Sequence, residues 1–296
     1  MKDVMLSSRA KAAVRLALDE DLANATELAA GSWLDATSEA LVDPKALATG
    51  EIYAKGSGCV VAGATVAKAV LKMVDPRIKV EILKPDGSQV EPKQPILVFR
   101  GKARSILAAE RTALNFMQRM SATATLTRKF VDATRRYGTL ILDTRKTTPG
   151  LRVFEKYAVL CGGGANHRMG MYDRVLMKDN HRRLWKGGNP DALDEAVAAA
   201  RRRFPNLAVE VEVESLRECE SALKAAPEWI MLDNMSIADM KKCVRMCKGI
   251  SKTEASGGIT LKRAKAVAAC GVTAISLGCL THSQGSVDLS LEWRSV

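Results

Sequence analysis

Polar residues recur at one place in the second half of this sequence, at or directly after the end of each of six short apolar runs. The cationic residues come first and the carboxylates later; in chain order the set is Arg145, Lys146, Lys178, Glu212, Asp233, Ser256, Gly257 and Gly278. Arginine and lysine bind phosphate and carboxylate groups. Paired carboxylates hold Mg²⁺, and glycine turns at helix starts expose N–H groups to phosphate. The pattern predicts a site for substrates with several negative charges.

Each of these residues also has a structural interpretation. A single polar residue after a strand is most often an ordinary helix N-cap. Three glutamates alternate with valines over 209–214, so this strand either faces a barrel interior or is a solvated edge. The run Gly162-Gly163-Gly164 allows a tight loop beside a ligand, or it ends the preceding helix. Six polar positions in register favour one shared site.

The six apolar runs alternate with helical segments, which is typical of βα units on a parallel sheet. The runs are 140–142, 175–177, 208–213, 229–232, 252–255 and 272–277, and the helices are predicted at 190–204, 216–225, 237–247 and 261–270. Ligands bind such folds at the carboxyl ends of the strands, where the polar residues lie. Six units are too few for a closed eight-stranded barrel, so we expect an incomplete barrel or an open sheet.

The N-terminal part follows a mixed pattern. Helices are predicted over 9–21 and 65–74, and strands over 50–55, 59–61, 77–83 and 95–100. We therefore expect an N-terminal α/β domain over 1–110 and a barrel with the site over 111–283. Residues 104–136 are predicted to form two helices. The alternating C-terminal end, 284–296, is expected to pack back on the N-terminal domain.

Composition excludes several classes of protein. Of 296 residues 47% are hydrophobic, so the chain can bury a core. No apolar run reaches the ~18–20 residues of a membrane span. Seven cysteines without a CxxC pair indicate reduced thiols and a cytoplasmic protein. The net charge of +12, with ten basic and four acidic residues between 143 and 186, indicates an anionic partner.

Motifs for other chemistries do not occur in the sequence. It contains no GxxxxGK[ST] loop, no GxGxxG after a strand and no GxSxG elbow. The three histidines lack zinc-ligand spacing. Runs of arginine at 135–136, 182–183 and 201–203 are typical of solvated helix faces.

Longer motifs carry a family resemblance. They are Glu110-Arg-Thr-Ala-Leu-Asn115, Asp143-Thr-Arg-Lys-Thr-Thr-Pro-Gly-Leu-Arg152, Gly162-Gly-Gly-Ala-Asn-His-Arg168, Lys178-Asp-Asn-His181, Val209-Glu-Val-Glu-Val-Glu-Ser215, Leu232-Asp-Asn234, Glu254-Ala-Ser-Gly-Gly-Ile259 and Leu280-Thr-His-Ser283. Together they resemble the quinolinate phosphoribosyltransferases (nicotinate-nucleotide pyrophosphorylases, carboxylating), which are type II phosphoribosyltransferases. The resemblance implies an N-terminal α/β sandwich followed by an incomplete α/β barrel of about six strands.

The resemblance also implies a reaction. Quinolinate and phosphoribosyl pyrophosphate would give nicotinate mononucleotide, pyrophosphate and CO₂, in the de novo route to NAD. It implies Mg²⁺ as cofactor, and a homodimer, or a hexamer built as a trimer of dimers, in which subunits share active sites. Neither nucleic acid nor a membrane is expected as a partner.

Residue roles carry over position by position as implications of the resemblance. The implied quinolinate and phosphate cradle is Arg145, His167, Arg168 and Lys178, completed by Arg111 from the neighbouring subunit. Lys146 matches the lysine beside the reacting centre. Glu212 and Asp233 match the carboxylates near the ribose and Mg²⁺. The implied 5′-phosphate loops contain Ser256, Gly257 and Gly278, and His282 falls in a family motif. Three stretches depart from the family pattern, namely 21–27, 54–58 and 121–125.

Two other functions are compatible with parts of the sequence. Another type II phosphoribosyltransferase, either the molybdenum-locus homologue or a nicotinate-using enzyme, would share much of the site. The complete Arg145, His167, Arg168 and Lys178 set favours a dicarboxylate acceptor. A basic nucleic-acid-binding module would spread its charge along one helix face, whereas the charge here clusters at predicted strand ends.

Overall fold

The computed structural model describes residues 4–185 and 192–294, which form two compact units. The first unit runs to Arg128 and also contains Thr147–Gly163 and the chain from Leu280 onward. The second contains Lys129–Lys146 and Gly164–Cys279. This division differs from the predicted boundary at 110/111, since the first unit extends to Arg128 and also takes in Thr147–Gly163. The first two residues of the predicted helix 190–204 lie outside the described residues.

Helices and strands alternate along most of the chain. The helices are α1 (Ser8–Leu22), α2 (Ala25–Ala30), α3 (Ala36–Leu41), α4 (Ala64–Val74), α5 (Ala103–Thr134), α6 (Arg152–Cys161), α7 (Asp179–Arg183), α8 (Leu193–Arg203), α9 (Leu216–Leu223), α10 (Ile237–Cys247), α11 (Leu261–Ala268) and α12 (Cys279–His282), with 3₁₀ turns at Val4–Leu6 and Arg135–Tyr137. The strands are β1 (Leu47–Ala54), β2 (Cys59–Val60), β3 (Lys79–Ile82), β4 (Gln89–Val90), β5 (Pro95–Lys102), β6 (Leu140–Leu142), β7 (Val175–Met177), β8 (Val209–Val213), β9 (Trp229–Asp233), β10 (Lys252–Ser256), β11 (Ala274–Ser276) and β12 (Leu289–Arg294).

An antiparallel sheet organises the first unit. Its strand order is β12-β1-β5-β3, and β2 pairs separately with β4. The C-terminal strand β12 pairs with β1 from Leu289 opposite Ala54 to Arg294 opposite Thr49, so the alternating C-terminal end does return to the N-terminal sheet. Helices α1 and α4 lie where helical spacing predicts them, whereas α2, α3 and α6 were not predicted.

Helix α5 is continuous over 32 residues, so the prediction of two helices in this region was wrong. Its sequence contains no glycine or proline that would interrupt it. Two of its threonines satisfy their hydroxyls within the helix: Thr127 donates to the carbonyl of Thr123 at 2.8 Å, and Thr134 to that of Phe130 at 2.9 Å. A polar stretch that resembles a break therefore remains helical.

Helix α6 belongs to the core of the first unit, although its sequence lies between two strands of the second. Phe154, Tyr157 and Ala158 are buried in the hydrophobic cluster that includes Leu18 and Phe99. The predicted barrel range, 111–283, included this segment because it lies between two predicted barrel strands along the chain. Burial of the apolar face of α6 decides its location instead.

A parallel six-stranded sheet forms the second unit, which confirms the predicted count. Its order is β6-β11-β10-β9-β8-β7, so each strand lies beside its sequence neighbour except that β6 lies beside β11. This is the order of an incomplete α/β barrel. Among residues 4–185 and 192–294 no pairing joins β6 to β7, so the ring is not closed.

Strand β8 is buried on both faces. Val209, Val211 and Val213 are fully buried, and Glu210 and Glu212 on the other face are only 0% and 7% exposed. The strand lies between β7 and β9, so the solvated-edge interpretation of its glutamates was wrong. Carboxylates at such positions require charged or hydrogen-bonding partners, because burial of an unpaired charge is costly.

We expect the first unit to lose stability in acid through Asp75. Arg77 donates to this carboxylate at 2.9 and 3.0 Å, and the hydroxyl of Ser105 donates at 3.1 Å. Hydrogen bonds from Arg77 lower the pKa of Asp75 from 3.8 to about 2. A lowered pKa stabilises the fold above pH 3.8, and this contribution disappears as the pH falls toward about 2.

Asp75→Asn should therefore cost about 1 kcal/mol at pH 7, a modest value because the Arg77 side chain is 73% exposed and solvent screens its charge. The gap to the wild type should narrow below pH 3.8. Urea unfolding across this range measures it. The control is Asp132→Asn. This variant removes an exposed carboxylate on α5 that pairs with Arg135. A gap that is constant with pH would contradict the assignment.

Candidate active site

Ten of the twelve predicted site residues lie in the second unit. Eight of these ten end or follow a strand around one edge of the parallel sheet, and a ninth, Arg168, lies in the loop before β7. Arg145 and Lys146 follow β6, Lys178 follows β7, and Glu212 and Asp233 lie at the ends of β8 and β9. Ser256 and Gly257 end and follow β10, and Gly278 follows β11. Because all six strands are parallel, their carboxyl ends meet at one edge. The tenth, His167, lies in the loop before β7.

Arg111 and His282 lie in the first unit. Arg111 is exposed on α5, and His282 is exposed at the end of α12, where its Nδ1 is 2.6 Å from the hydroxyl of Ser283. Their predicted roles in substrate binding stay predictions.

Two arginines form the positive centre of the edge. Burial and then the neighbouring charge of Arg145 lower the pKa of the Arg168 guanidinium. Each guanidinium therefore raises the local positive potential felt by the other. Arg168 is held by a hydrogen bond from Nη1 to the backbone carbonyl of Arg174 at 3.1 Å. A held, half-buried guanidinium with a cationic neighbour is a strong anion-binding group.

The segment that carries His167 is bound to β6. The N–H of Ala165 donates to the carbonyl of Ile141 at 2.8 Å, and the N–H of His167 donates to Oδ1 of the fully buried Asp143 at 3.0 Å. The backbone at His167 and Arg168 is thereby fixed beside Arg145. Asp143 opens a motif of the sequence but was not predicted as a site residue.

Lys178 and Glu212 form an ion pair between the ends of β7 and β8. Burial raises the pKa of the Glu212 carboxyl, the Lys178 ammonium opposes this, and the charge of Asp233 adds to it. Glu212 therefore faces both a cation and a second carboxylate. His181 has a structural role, since its Nδ1 accepts the N–H of Lys178 at 3.0 Å.

Asn234 links the ends of β9 and β10, and sequence reasoning did not assign it to the site. Its Nδ2 donates to Oδ2 of Asp233 at 2.8 Å, and its N–H donates to the carbonyl of Ser256 at 3.1 Å. Its φ of +52° lies in the left-handed region, which asparagine tolerates better than most residues. The available signal in the sequence was an asparagine directly after one strand together with the Gly257-Gly258 turn directly after the next strand.

The donor set at the edge suits a hard divalent cation. Glu212 and Asp233 present carboxylate oxygens on neighbouring strands, and the charge of Asp233 affects the pKa of Glu212, which shows that the two groups interact. Mg²⁺ prefers oxygen ligands and commonly binds through one or two carboxylates together with substrate phosphates. The residues present therefore fit this ion.

Lys146 lies at the exposed end of the β6 segment. Its N–H donates to Oγ1 of Thr144 at 3.0 Å, which shapes the turn, and its side chain is exposed.

A second group that sequence reasoning missed consists of Arg174, Glu210 and Glu254. It contacts His167. Nothing in a single alternating strand shows which of its glutamates meets a cation from another segment.

Comparison with known proteins bears on both units. The family model for the quinolinate phosphoribosyl transferase C-terminal domain matches residues 123–292, and that for the N-terminal domain matches residues 35–121. A chloroplastic nicotinate-nucleotide pyrophosphorylase (carboxylating) of Oryza sativa subsp. japonica is 40% identical over 300 residues, which cover 95% of this chain and 77% of that protein. The chain belongs to the quinolinate phosphoribosyltransferase family.

Bacterial relatives extend this similarity. A probable nicotinate-nucleotide pyrophosphorylase (carboxylating) of Bacillus subtilis is 40% identical over 243 residues, covering 82% of each chain. The solved structure of the nicotinate-nucleotide pyrophosphorylase from Francisella tularensis matches with a TM-score of 0.87 at 37% identity, over 97% of this chain and 96% of that one. In the described part of this phosphoribosyltransferase, no helix is both long and apolar enough to cross a membrane.

We expect Gly257 to be essential for phosphoribosyl transfer in this family member. Its φ is +88°, and a β-carbon there would overlap the side-chain amide of Asn234 and lie 2.9 Å from the Asn234 nitrogen. Gly257→Ala should therefore displace Asn234 and Asp233 and abolish most activity. Gly258→Ala is the matched control, because Gly258 also has a positive φ, +55°, but open space around its β-carbon. Equal losses in steady-state activity, with both proteins folded by circular dichroism, would contradict this account.

Proposed function

We propose that this chain is a quinolinate phosphoribosyltransferase that uses the strand-end site of the second unit. Its substrates would be quinolinate and phosphoribosyl pyrophosphate, and its products nicotinate mononucleotide, pyrophosphate and CO₂. The observation that carries the proposal is the convergence of Arg145 and the half-buried Arg168 at the strand ends, where burial and then the charge of Arg145 lower the pKa of Arg168. An anion with several charges that binds between the two arginines offsets their repulsion and stabilises the pair.

The cations have a specific electrostatic task in this reaction. Quinolinate carries two carboxylates and phosphoribosyl pyrophosphate several phosphate charges, so their approach is opposed by repulsion. Arg145 and Arg168 offer planar guanidinium groups that suit carboxylates, and Lys178 offers a mobile ammonium. Groups that are already oriented lower the barrier without reorganising during the reaction.

The chemistry requires positioning more than proton transfer. The pyridine nitrogen attacks C1 of the ribose as the bond from C1 to pyrophosphate breaks, and positive charge develops on the sugar. The new N-glycosidic bond makes the ring cationic, so the ring accepts the electron pair when CO₂ leaves C2, which then takes a proton. Holding the two substrates in line provides most of the acceleration. Lys146 is proposed to stabilise the reacting centre electrostatically.

Mg²⁺ is proposed as the cofactor, held by Glu212 and Asp233 in part through the substrate. When bound it would neutralise charge on the departing pyrophosphate. Lys178 pairs with Glu212 in the structure, so a second cation at Glu212 leaves Lys178 available to an anionic substrate. Ser256, Gly257 and Gly278 are proposed to hold the 5′-phosphate through backbone N–H groups.

Two subunits are proposed to share each site. Arg111 is exposed on α5 of the first unit, and it lies in the motif Glu110-Arg-Thr-Ala-Leu-Asn115 that resembles the family. We propose a dimer, alone or as part of a trimer of dimers, in which Arg111 completes the cradle of the partner subunit. Closed two-fold symmetry makes the contribution reciprocal.

Nucleic-acid binding is disfavoured by the uses of the arginine runs. Arg201 donates to the carbonyls of Ala225 and Ala226 at 2.9 and 2.7 Å and pairs with Glu228. Arg182 pairs with Glu218 and also donates to a backbone carbonyl of β8. These arginines are engaged within the second unit rather than presented to phosphates.

A cytoplasmic location is proposed because all seven cysteines are free thiols.

An assay with purified protein tests the proposed function. Quinolinate labelled at the 2-carboxylate should release labelled CO₂ only when phosphoribosyl pyrophosphate and Mg²⁺ are present, with equimolar pyrophosphate. Chelation of Mg²⁺ should stop release, and Glu212→Gln should shift the Mg²⁺ dependence to higher concentration. Turnover of nicotinate in place of quinolinate, with no CO₂ release from quinolinate, would instead establish the nicotinate-using alternative.

Subunit sharing has its own test. Arg111→Ala and Lys146→Ala should each be folded and nearly inactive. When the two variants exchange subunits, each mixed dimer has one site with both defects and one with neither. Since about half of the dimers are mixed and half of their sites intact, roughly a quarter of wild-type activity should return.

The control is each variant incubated alone under the same exchange conditions. Native mass spectrometry verifies that mixed dimers have formed. A verified mixture that stays inactive would show that Arg111 acts in its own subunit or only in the fold.

A further inference from the structure

The loop that carries Arg168 is closed by nested hydrogen bonds. The outer bond runs from Nη1 of Arg168 to the backbone carbonyl of Arg174 at 3.1 Å. Inside it, the Asp173 carboxylate accepts the N–H of Met169 at 2.6 Å through Oδ2 and the N–H of Gly170 at 3.3 Å through Oδ1. The guanidinium of the anion site and the carboxylate of Asp173 therefore join the same two sides of one loop.

Both ends of this loop are fixed to the parallel sheet, but the residues between them are not. Before the loop, the N–H of His167 donates to Oδ1 of Asp143 at 3.0 Å. After it, the N–H of Val175 donates to the carbonyl of Ala208 at 3.0 Å. Residues 168–174 form neither helix nor strand, so the sheet does not set their path. A side chain has to supply the link that secondary structure does not provide.

The turn inside the loop is compact. Gly170 is buried, although Met171 and Tyr172 beside it are exposed. The ring of Tyr172 packs on Gly170 so closely that a β-carbon there would lie 2.3 Å from Cε1 of the ring. An amide that is covered in this way loses little of its hydrogen bond to competing water.

Asp173 lies near enough to the Arg168 guanidinium to affect its charge. Burial and then the charge of Arg145 lower the pKa of Arg168, and the charges of Glu210 and Asp173 oppose this. Asp173 is itself exposed, so its replacement leaves no cavity in the core. The effect of such a replacement on the site is therefore measurable in a folded protein.

We propose that Asp173 is a positioning residue for the anion site: by accepting the amides of Met169 and Gly170 it fixes the loop that carries Arg168, and thereby the direction of the Arg168 guanidinium. This role rests on the proposed function, in which Arg168 binds quinolinate. Asp173 does not touch the substrate. A guanidinium that is already oriented loses less conformational entropy when it binds a carboxylate.

A purely electrostatic role of Asp173 predicts the opposite result. A carboxylate close to an anion site repels the ligand, so every neutral substitution of Asp173 would strengthen quinolinate binding. A positioning role predicts weaker binding when both acceptor oxygens are lost. It also predicts that binding is largely retained when one acceptor oxygen remains.

Two substitutions separate these roles by calorimetric titration with quinolinate. Asp173→Ala removes both acceptors and should weaken binding about tenfold, the upper range for one side chain that must be ordered on binding. Asp173→Asn keeps an oxygen for the N–H of Met169 and should retain most of the affinity. The matched control is Asp43→Ala in the first unit, because Asp43 is also exposed and accepts a nearby backbone N–H, that of Lys45 at 2.8 Å. Equal losses in the two Asp173 variants, or tighter binding in both, would overturn the proposal.

A double-mutant cycle tests whether Asp173 acts through Arg168. Arg168→Ala should weaken quinolinate binding by itself. Adding Asp173→Ala to this variant should cause no further loss, because the guanidinium that the loop positions is already absent. Additive losses would show that Asp173 acts independently of Arg168 and would contradict the proposal.

The loop is also measurable without substrate. In hydrogen–deuterium exchange followed by mass spectrometry, a peptide that covers residues 166–174 should lose the protection of two amides in Asp173→Ala, while Asp43→Ala should match the wild type. Wild-type protein that does not bind quinolinate would contradict the proposed function. A wild type that binds quinolinate, together with unchanged exchange in Asp173→Ala, would contradict only the role of Asp173.

Discussion

Repulsion between positive charges at the carboxyl end of a parallel sheet is the constraint on which the second unit depends. Arg145 and Arg168 are close enough that the charge of Arg145 contributes to lowering the pKa of Arg168, and Lys178 follows β7, the next strand along the chain after β6. Such an arrangement costs free energy in the absence of an anion. Carboxylates of β8 offset part of this positive charge: Glu212 pairs with Lys178, Glu210 pairs with Arg174, and the charge of Glu210 raises the pKa of Arg168. The positive edge and the buried glutamates of β8 are two parts of one electrostatic structure.

The alternation of β8 serves this arrangement in a way that a simple amphipathic strand would not. Its valines pack on one face, while Glu210 and Glu212 lie on the other, separated by two residues and therefore at different depths of the sheet. Glu212 lies at the edge, where it can exchange Lys178 for another cation. Glu210 lies deeper, where Arg174 and His167 hold it. One periodic pattern thus supplies a carboxylate for ligands and another for the framework that supports them.

Backbone geometry at the ends of β9 and β10 imposes a second constraint. Asn234 and Gly257 both have positive φ, and the space that a β-carbon on Gly257 would fill is occupied by the Asn234 side chain. This close approach brings Asp233 and the Ser256 turn together through the hydrogen bonds of Asn234. At Gly257 the close contact with Asn234 excludes a β-carbon, and the φ of +88° adds a conformational preference for glycine.

Local patterns in the sequence determine the six strands, their parallel arrangement and the position of the polar residues at strand ends, since period and turn chemistry depend on neighbouring residues. Through the family motifs, the sequence also predicts which cations and carboxylates belong to the site. Only the tertiary structure decides that α5 is one helix, that α6 packs in the first unit, and that Glu210 rather than Glu214 meets Arg174. These outcomes depend on which apolar face or buried charge finds a partner far away in the chain. The free energy of burial determines which distant partner is contacted, and local sequence patterns do not specify that partner.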